Sequence, residues 1–591
     1  MRNAAYTAEH VRSAAGPLLP AIASLHGSPS ARPLLYDVIS RCQWHTYEAV
    51  PHTELGHTVR DCGRALCSMI SERSEALSGF SVFSALLDVA ARQDRPDLQP
   101  GFHAEMVHLL EGLQGKACLG PLAEDPSGED PGSAAQRSVA LDALWTSAAS
   151  WMERYEDGLS PEAVARRSVR RAEVLAALGG DEADWADWQW HAAHVIAGLD
   201  SLDRAVALRA DEREGVRRAT AEGMPFAVTP YYASLFDEVA DSGRDRALRA
   251  QVLPSCQCAS AWGEHMRDGG PGAMDFMREG ETSPIPLVTR RYPAVAILKP
   301  YRSCSQFCVY CQRNWEVTGP GSCEALAPWE QIEAACDWIA AHPAIQELLI
   351  TGGDPLAMPD DALARILRRV RGIASLNVVR IGTRIPVTLP MRITHSLADL
   401  LGSLRSPGHR EILLVTHVQH PYEVTPEMVA AIARLRSRGI GIYNQVVYTF
   451  YASRRFETAR LRMLLRRVGV DPYYTFAPKG KAETLDYRVP IARILQEQKE
   501  EARLLPGTRR TDEAVVNIPA LGKVYLRAAQ HRDLLAVLPN GSRVYEFHPW
   551  EKGIAPSQPY VSVDVPVLDY LARLESIGED PAEYGSIWYY F

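Results

Sequence analysis

The chain has 591 residues, of which 46% are hydrophobic and 23% are charged, with a formal net charge of −9. This acidic balance excludes the strongly basic surface typical of nucleic-acid binding, and no apolar run is long enough to span a bilayer. The N-terminus also lacks the apolar core of a signal peptide. We therefore expect a cytoplasmic protein of two or more domains that binds neither nucleic acid nor membrane.

The first 178 residues are predicted to be helical. They are rich in alanine, leucine and arginine at helical spacing and show no strand-like alternation. Ser160 and Pro161 form a helix start signal. Residues 123–133 concentrate proline, glycine, aspartate and serine, which is typical of a loop or linker.

From about residue 294, short apolar strands alternate with helical stretches. Six strands are predicted, at residues 294–299, 347–352, 378–383, 411–417, 441–447 and 472–477. Helices are predicted at residues 328–341, 360–371, 397–404, 426–438 and 458–468. This alternation predicts an α/β fold, a partial (βα)6 barrel whose chemistry lies on the loops that follow the strands.

Three cysteines, Cys304, Cys308 and Cys311, follow the first predicted strand with the spacing Cys-x3-Cys-x2-Cys. A cubane iron–sulfur cluster normally has four thiolate ligands, so three cysteines leave one iron open to an outside ligand. In this pattern the outside ligand is usually S-adenosylmethionine (SAM). The chain thus resembles the radical SAM enzymes, which bind SAM at a [4Fe-4S] cluster. The remaining cysteines form no regular framework.

Further motifs, in order from about residue 180 to about 530, resemble the lysine 2,3-aminomutase family. They include Arg291-Tyr292-Pro293, Gly352-Gly353-Asp354, Thr416-His417 and Asn444-Gln445. Enzymes of this family combine a [4Fe-4S] cluster, SAM and pyridoxal 5′-phosphate (PLP), and they move an α-amino group to the β-carbon. The resemblance divides the chain into a helical extension (1–178), the family's N-terminal helical region (179–285), a barrel with the PLP site (286–535) and a C-terminal segment (536–591).

The resemblance also implies which residues bind SAM. Gly352 and Gly353 allow the backbone to approach the ligand, and Asp354 is expected to receive the ammonium group of its methionine part. His417, with Asn444 and Gln445, is expected to meet the ribose and adenine.

For PLP, the resemblance implies that Lys523 forms the covalent link to the cofactor. The glycine run that precedes this lysine in the family is reduced to Gly522 here. Arg291 matches a family arginine at the PLP phosphate, but the position of a second arginine is Val295, for which Lys299 or Arg290 is a substitute. A family histidine between the last two cysteines is Tyr310.

Three residues bear on the substrate. Arg313 matches the family arginine that binds the substrate α-carboxylate, which a guanidinium can bind through two hydrogen bonds. Lys479 and Asn517 stand where the lysine enzymes have two aspartates for the side-chain ammonium. This pair resembles that of glutamate 2,3-aminomutase and favours a substrate with a side-chain carboxylate.

We therefore interpret the chain as an isomerase, a radical SAM and PLP-dependent 2,3-aminomutase that converts L-glutamate to β-glutamate. Its expected partners are an amino acid substrate, an electron donor such as flavodoxin or ferredoxin, and further copies of itself in a homo-oligomer. Three alternatives stay open: an aminomutase for a neutral amino acid, a radical SAM enzyme of another reaction type that acts on a natural-product intermediate, and a cluster-bearing binding protein without catalysis.

Overall fold

The computed structural model describes residues 6–120, 132–549 and 558–591, which divide into two compact units. The terminal unit combines Met1–Trp151, Val489–Leu504 and Lys523–Phe591, and the barrel unit combines Met152–Arg488 with Leu505–Gly522. Most of the predicted linker at residues 123–133 lies outside the described residues. The four segments implied by the family resemblance were drawn from sequence likeness rather than from contacts, and they stay a prediction.

A nine-stranded sheet in the order β1 to β9 forms the centre of the fold. The strands are β1 Val288–Tyr292, β2 Val295–Tyr301, β3 Glu347–Gly352, β4 Val378–Gly382, β5 Glu411–Thr416, β6 Gly441–Val447, β7 Asp471–Phe476, β8 Glu513–Ile518 and β9 Gly522–Tyr525. β1 pairs antiparallel with β2, and every pair from β2–β3 to β7–β8 is parallel. The α/β barrel architecture is therefore confirmed.

All six predicted strands are present as β2 to β7, and β8 is a seventh parallel strand that the sequence did not predict. β8 is as long as β3, β5 and β7, but a turn and β9 follow it in place of a helix. It pairs with β7 in the register Tyr474 to Glu513 and Phe476 to Val515. The carboxyl ends of β7 and β8 therefore lie side by side at the functional edge of the sheet.

The core of the barrel unit follows from alternation along the strands. One side chain from each of five strands is fully buried in the same cluster, namely Leu298, Ile350, Ile381, Leu414 and Ile442. Because strand side chains alternate between faces, polar residues are carried to the strand ends and loops. Helices of the barrel unit are Pro161–Leu178, Glu182–Ala186, Trp188–Ala193, Leu199–Ala205, Ala210–Ala221, Pro230–Ala233, Arg246–Arg249, Cys256–Gly269, Trp329–Ala340, Asp360–Arg371, Ile385–Thr388, His395–Gly402, Pro426–Arg436 and Glu457–Val468.

The terminal unit joins the N-terminal helices to the end of the chain. Its helices are Ala8–Ala15, Leu19–Ser24, Ala31–Ala49, Glu54–Met69, Glu72–Ser78, Val82–Ala90, Pro100–Leu113, Ile491–Leu504 and Val567–Ser576, with Ala134–Met152 at its boundary. A three-stranded antiparallel sheet is formed by β10 Arg532–Val537, β11 Arg543–Phe547 and β12 Tyr560–Val563. A buried ion pair, in which Arg543 donates to both oxygens of Glu105 at 3.0 and 2.9 Å, joins the first and last parts of this unit. Across the described ranges, no helix has the length and apolarity needed to cross a membrane.

Candidate active site

The three motif cysteines lie on the loop after β2, where all three line one cavity of about 280 Å³. Main-chain hydrogen bonds hold this loop: Phe307 N–H donates to the Ala227 carbonyl at 3.1 Å, and Val309 N–H donates to the Gln251 carbonyl at 2.8 Å. Burial, followed by the neighbouring Asp354 and the other two thiols, raises the pKa of Cys304 well above its usual range. Cationic iron would reverse this effect, because metal coordination deprotonates thiols. The three thiols therefore fit a cluster.

Gly352 and Gly353 end β3 and pack directly against the start of the cysteine loop. Gly352 has φ +113, and Gly353 N–H donates to the Tyr301 carbonyl at 2.7 Å. A Cβ atom on Gly353 would lie only 2.2 Å from the Ser303 carbonyl oxygen. Glycine is therefore required at this contact, and both glycines line the same cavity as the three cysteines.

Asp354 also lines the cavity and is 7% exposed. Its Oδ1 accepts hydrogen bonds from Leu356 N–H at 3.0 Å and from the Thr383 hydroxyl at 2.6 Å, and its Oδ2 accepts from Arg384 N–H at 2.8 Å. Burial raises the pKa of this carboxyl group. A carboxylate has about four acceptor positions, so the three bonds leave room for one ammonium donor.

His417 and Gln445 line the same cavity at the ends of β5 and β6. Burial, followed by the positive charge of Arg384, lowers the pKa of His417 to about 4, so the imidazole is neutral at pH 7. Its Nδ1 lies 2.6 Å from the Gln445 carbonyl oxygen, which can only accept. Nδ1 therefore donates, and Nε2 accepts from the Tyr310 hydroxyl at 2.9 Å. Tyr310 thus fixes the orientation of this histidine.

Asn444 is not among the residues that line the cavity. Its side chain is 2% exposed and bridges the loop after β5. Oδ1 accepts from Val418 N–H at 2.7 Å, and Nδ2 donates to the Val418 carbonyl at 3.0 Å. The contacts of Asn444 are those of a residue that positions a loop.

Arg313 lines the cavity but pairs with a carboxylate that the sequence did not single out. Its Nε and Nη2 donate to the two oxygens of Glu279 at 3.1 and 2.9 Å. Glu279 is 1% exposed and also accepts from Lys299 at 3.2 Å and from Gln312 at 2.8 Å. Burial alone would raise the pKa of Glu279, but the cations, Arg313 first, hold it well below its usual range.

Arg291, on β1, has unused hydrogen-bonding capacity beside Glu279. Its side chain is 9% exposed, and its Nη2 forms an ion pair with Glu279 at 3.4 Å. Among the described residues, Nε and Nη2 of Arg291 have no hydrogen-bond partner. These buried donors fit a phosphate group, which offers several acceptor oxygens. Lys299 joins this cluster, whereas Arg290 donates to the Pro293 carbonyl at 2.7 Å.

Lys523 is half-buried on β9, directly after a turn with unusual backbone angles. Ala520 has φ +60 and Gly522 has φ +95, so both are in the left-handed region that favours glycine. Ala520 N–H donates to the Met277 carbonyl at 3.0 Å, which ties the turn to the segment that leads to Glu279. The turn that precedes the predicted PLP lysine is thus anchored in the barrel unit.

Lys479 and Asn517 lie at the carboxyl ends of the neighbouring strands β7 and β8. The Lys479 ammonium lies 5.0 Å from the centre of the Phe476 ring. Asn517 is 8% exposed, and its Nδ2 has no hydrogen-bond partner in the described part of the chain. A buried amide donor without a partner is costly and fits a ligand that brings an acceptor oxygen.

Two buried residues near the cysteine loop were given no role in the sequence analysis. Glu279 stands in a segment without periodic pattern, and the side-chain contacts of Arg384 depend on the fold. Arg384 follows β4, is 8% exposed, and its Nη1 donates to Cys308 Sγ at 3.0 Å. Glu279 precedes β1 and reaches the loop after β2 through Arg313.

Comparison with known proteins agrees with this geometry. Residues 298–449 match the Radical SAM superfamily model. The chain is 43% identical over 549 residues to a KamA family protein of Methanocaldococcus jannaschii, covering 89% of this chain and 87% of that protein. It is 32% identical over 315 residues to L-lysine 2,3-aminomutase of Fusobacterium nucleatum, covering 53% of this chain and 69% of that enzyme.

A third relative is glutamate 2,3-aminomutase of Clostridioides difficile, which is 29% identical over 326 residues, or 54% of this chain and 72% of that enzyme. Together these relatives imply a [4Fe-4S] cluster, SAM and PLP as cofactors of the family. The cysteine loop, the glycines after β3 and the donors around Arg291 fit that set. The chain belongs to the KamA family of radical SAM enzymes, in which the lysine and glutamate 2,3-aminomutases are also found.

Proposed function

We propose that this enzyme is an isomerase, a 2,3-aminomutase that moves the α-amino group of L-glutamate to its β-carbon. When bound, the cluster with SAM supplies radical chemistry by one-electron reduction, and PLP carries the migrating nitrogen. The electron comes from a donor such as flavodoxin or ferredoxin. Homo-oligomer formation and a cytoplasmic location stay predictions. Radical chemistry of another type on a natural-product intermediate is not favoured, because the curated relatives with named activities are aminomutases.

In this proposal the chain's own residues hold and orient the reacting groups. Cys304, Cys308 and Cys311 hold the cluster, and the loops after β3, β5 and β6 hold SAM at the positions described above. Lys523 holds PLP covalently, and Arg291 receives its phosphate. These contacts fix the geometry of the reaction and exclude water from it, which is the main contribution of a protein to cofactor chemistry.

The substrate would lie between two sets of donors. Nε and Nη2 of Arg313 donate to Glu279. Its Nη1 side is therefore the part of the guanidinium that would meet the substrate α-carboxylate. Lys479 and Asn517 would meet the side-chain carboxylate at the ends of β7 and β8. The observation that carries the substrate proposal is the buried Asn517 Nδ2, which has no partner among the described residues. It lies on β8, next to the strand that Lys479 follows. A substrate ammonium group would be repelled by Lys479 and would find no carboxylate in this pair of residues.

The substrate proposal is tested by anaerobic incubation of the reconstituted enzyme with glutamate, glutamine and lysine, followed by analysis for β-isomers. We expect conversion of glutamate, and Lys479→Asp should weaken it by about 2–5 kcal/mol in the specificity constant, which is at least about thirtyfold. Glutamine has no side-chain charge and should change far less. Lys499→Asp, at a lysine whose side chain is 44% exposed, is the matched charge-reversal control.

Two results would overturn the substrate proposal. Equal use of glutamate by wild type and Lys479→Asp would mean that Lys479 does not face the substrate. Conversion of lysine but not glutamate by the wild type would assign the enzyme to the lysine branch. Preference for glutamine would instead support a neutral substrate, which Asn517 also accommodates because its amide is uncharged.

A further inference from the structure

One of the three cysteine sulfurs already receives a hydrogen bond from a buried cation. Arg384 follows β4, is 8% exposed, and directs Nη1 at Cys308 Sγ over 3.0 Å. Nothing in the family resemblance assigns a role to this side chain. A guanidinium is always charged in proteins, so this contact places a fixed positive charge and an N–H donor against a cluster-binding sulfur.

The guanidinium is held in place on its other edges. Nε donates to the His417 carbonyl at 3.1 Å, and Nη2 donates to Glu423 Oε1 at 2.8 Å and to Gln251 Oε1. The main-chain N–H of Arg384 donates to Asp354 Oδ2 at 2.8 Å. The residue is therefore fixed through both its backbone and its side chain, and Nη1 has little freedom to leave Cys308.

Glu423 completes the support. It is fully buried, and its oxygens accept from the Tyr232 hydroxyl at 2.6 Å and from Gln419 N–H at 2.7 Å. Burial alone would raise the pKa of Glu423, but Arg384 and the hydrogen bonds from Tyr232 and Gln419 together outweigh it, and the pKa lies below its usual range. A fully satisfied network of this kind holds its members in one arrangement. Arg384 is thus a positioned charge and not a mobile surface group.

We propose that Arg384 raises the reduction potential of the cluster that Cys308 helps to hold. Reduction adds one negative charge that spreads onto the ligand sulfurs. A nearby positive charge and an N–H donor to sulfur stabilise the reduced form more than the oxidised form, which is a recognised means of tuning cluster potentials. Arg384 therefore makes the cluster easier to reduce by its electron donor. This role depends on the cluster alone and is independent of the amino acid substrate.

The test compares midpoint potentials of the reconstituted full-length protein without SAM or substrate. Arg384→Met combined with Glu423→Gln removes the donor without leaving a buried charge unpaired. We expect a shift to more negative potential by at least about 59 mV, which corresponds to a tenfold change for one electron. The g-values of the reduced cluster in electron paramagnetic resonance should change as well, while iron and sulfide content stays at the wild-type level.

Arg384→Lys gives a second, milder measurement. A lysine keeps the charge beside Glu423 but is too short to donate to both Glu423 and Cys308, so a smaller negative shift is expected. Arg462→Lys is the control, because Arg462 is equally buried and pairs with Asp512. Wild-type potentials in both Arg384 variants at full iron content would overturn the proposal. If the double variant does not retain iron, the potential of Arg384→Lys decides, and a wild-type value overturns it.

Discussion

The cysteine end of the active site and the strand ends of β7 and β8 differ in how far their buried polar groups are satisfied. Around the cysteines, Asp354 accepts three hydrogen bonds. The Arg384 side chain donates to His417, Cys308, Gln251, Glu423 and Tyr232. At the strand ends, Asn517 Nδ2 has no partner within the described ranges. The network of Asp354 and Arg384 is bonded throughout, although Gln306 Nε2 and Thr416 Oγ1 at the same end have no partner among the described residues. Asn517, at the strand ends, has an unmet requirement for an acceptor.

This difference separates the shared chemistry from the specificity. A fully bonded network such as that of Asp354 and Arg384 holds its shape and offers few ways to vary without loss of fold. A buried donor without a partner lowers the stability of the free protein and gains a partner only when the right ligand binds. Selectivity among amino acids should therefore depend on the ends of β7 and β8, and radical formation on the cysteine loop.

The largest expected effect is at the cysteine loop. Cys308→Ala should abolish 5′-deoxyadenosine formation from SAM, because each of the three thiolates is needed to hold the cluster. The measurement is product formation with dithionite as reductant, together with iron content. Cys323→Ala, at an exposed cysteine outside the motif, should retain both. Unchanged iron and turnover in Cys308→Ala would break the assignment of radical chemistry to this loop.

The second expected effect concerns PLP. Borohydride reduction followed by peptide mapping should place the pyridoxyl group on Lys523, and Lys523→Ala should lose the label entirely, because no other amine is expected to form the link. Lys499→Ala should be labelled as the wild type is. A label on another lysine would show that the family alignment is wrong over this segment.

A third prediction concerns the charge cluster around Glu279. Glu279→Gln should lower the free energy of unfolding by about 3–5 kcal/mol at neutral pH, because Arg313, Lys299 and Arg291 lose a buried carboxylate. The folded-state pKa of Glu279 is depressed, so this stabilisation is present above the unfolded-state pKa and is lost as pH falls below it. The difference between variant and wild type in denaturant unfolding should therefore shrink below about pH 4.

Glu281→Gln is the control for that measurement, since Glu281 is 60% exposed and forms its ion pair with the exposed Arg278 at 3.7 Å. Its effect on unfolding should be within about 0.5 kcal/mol at every pH. A Glu279→Gln effect that is equally small would mean that the three cations have other partners in solution.

The smallest expected effect is at Asn517, and it tests the difference between the cysteine end and the ends of β7 and β8 most directly. Asn517→Leu should stabilise the ligand-free protein by about 1–3 kcal/mol, because it removes an unsatisfied buried donor. The same change should weaken glutamate binding, which a rise in KM for glutamate would report. Asn314→Leu is the matched control: Asn314 is also 8% exposed, but it donates to Glu483 and accepts from Lys481. We expect Asn314→Leu to destabilise, and destabilisation by both variants would contradict the proposed difference.

Most of the barrel was predictable because its strands are short apolar runs separated by amphipathic helices. Two predicted strands, 347–352 and 441–447, coincide with the observed Glu347–Gly352 and Gly441–Val447, and the others differ by one or two residues at their ends. β8 is as long as β3, β5 and β7 but was not predicted, because a turn and β9 follow it in place of the amphipathic helix that marks the repeated βα units. The local sequence pattern was therefore sufficient to predict the repeated βα units but not β8, the strand that follows them.

The site was predictable where a motif carries its own spacing, as with Cys304, Cys308 and Cys311. Contacts between distant segments were not predictable. Glu279, which precedes β1, meets Arg313 on the loop after β2, and Arg384, which follows β4, meets Cys308 on the same loop. No single-sequence pattern records such meetings. For Asn444, the resemblance implied a role in binding SAM, whereas its side chain is hydrogen-bonded to the main chain of Val418.

The main-chain bonds of the cysteine loop have a consequence for repair of the enzyme after exposure to air. Main-chain hydrogen bonds join Phe307 to Ala227, Val309 to Gln251, and Gly353 to Tyr301. Protein contacts alone therefore maintain the shape of the loop. A cluster destroyed by oxygen would leave a preformed cradle of three thiols behind. Added iron, sulfide and a thiol reductant should then restore the damaged enzyme without unfolding or new synthesis.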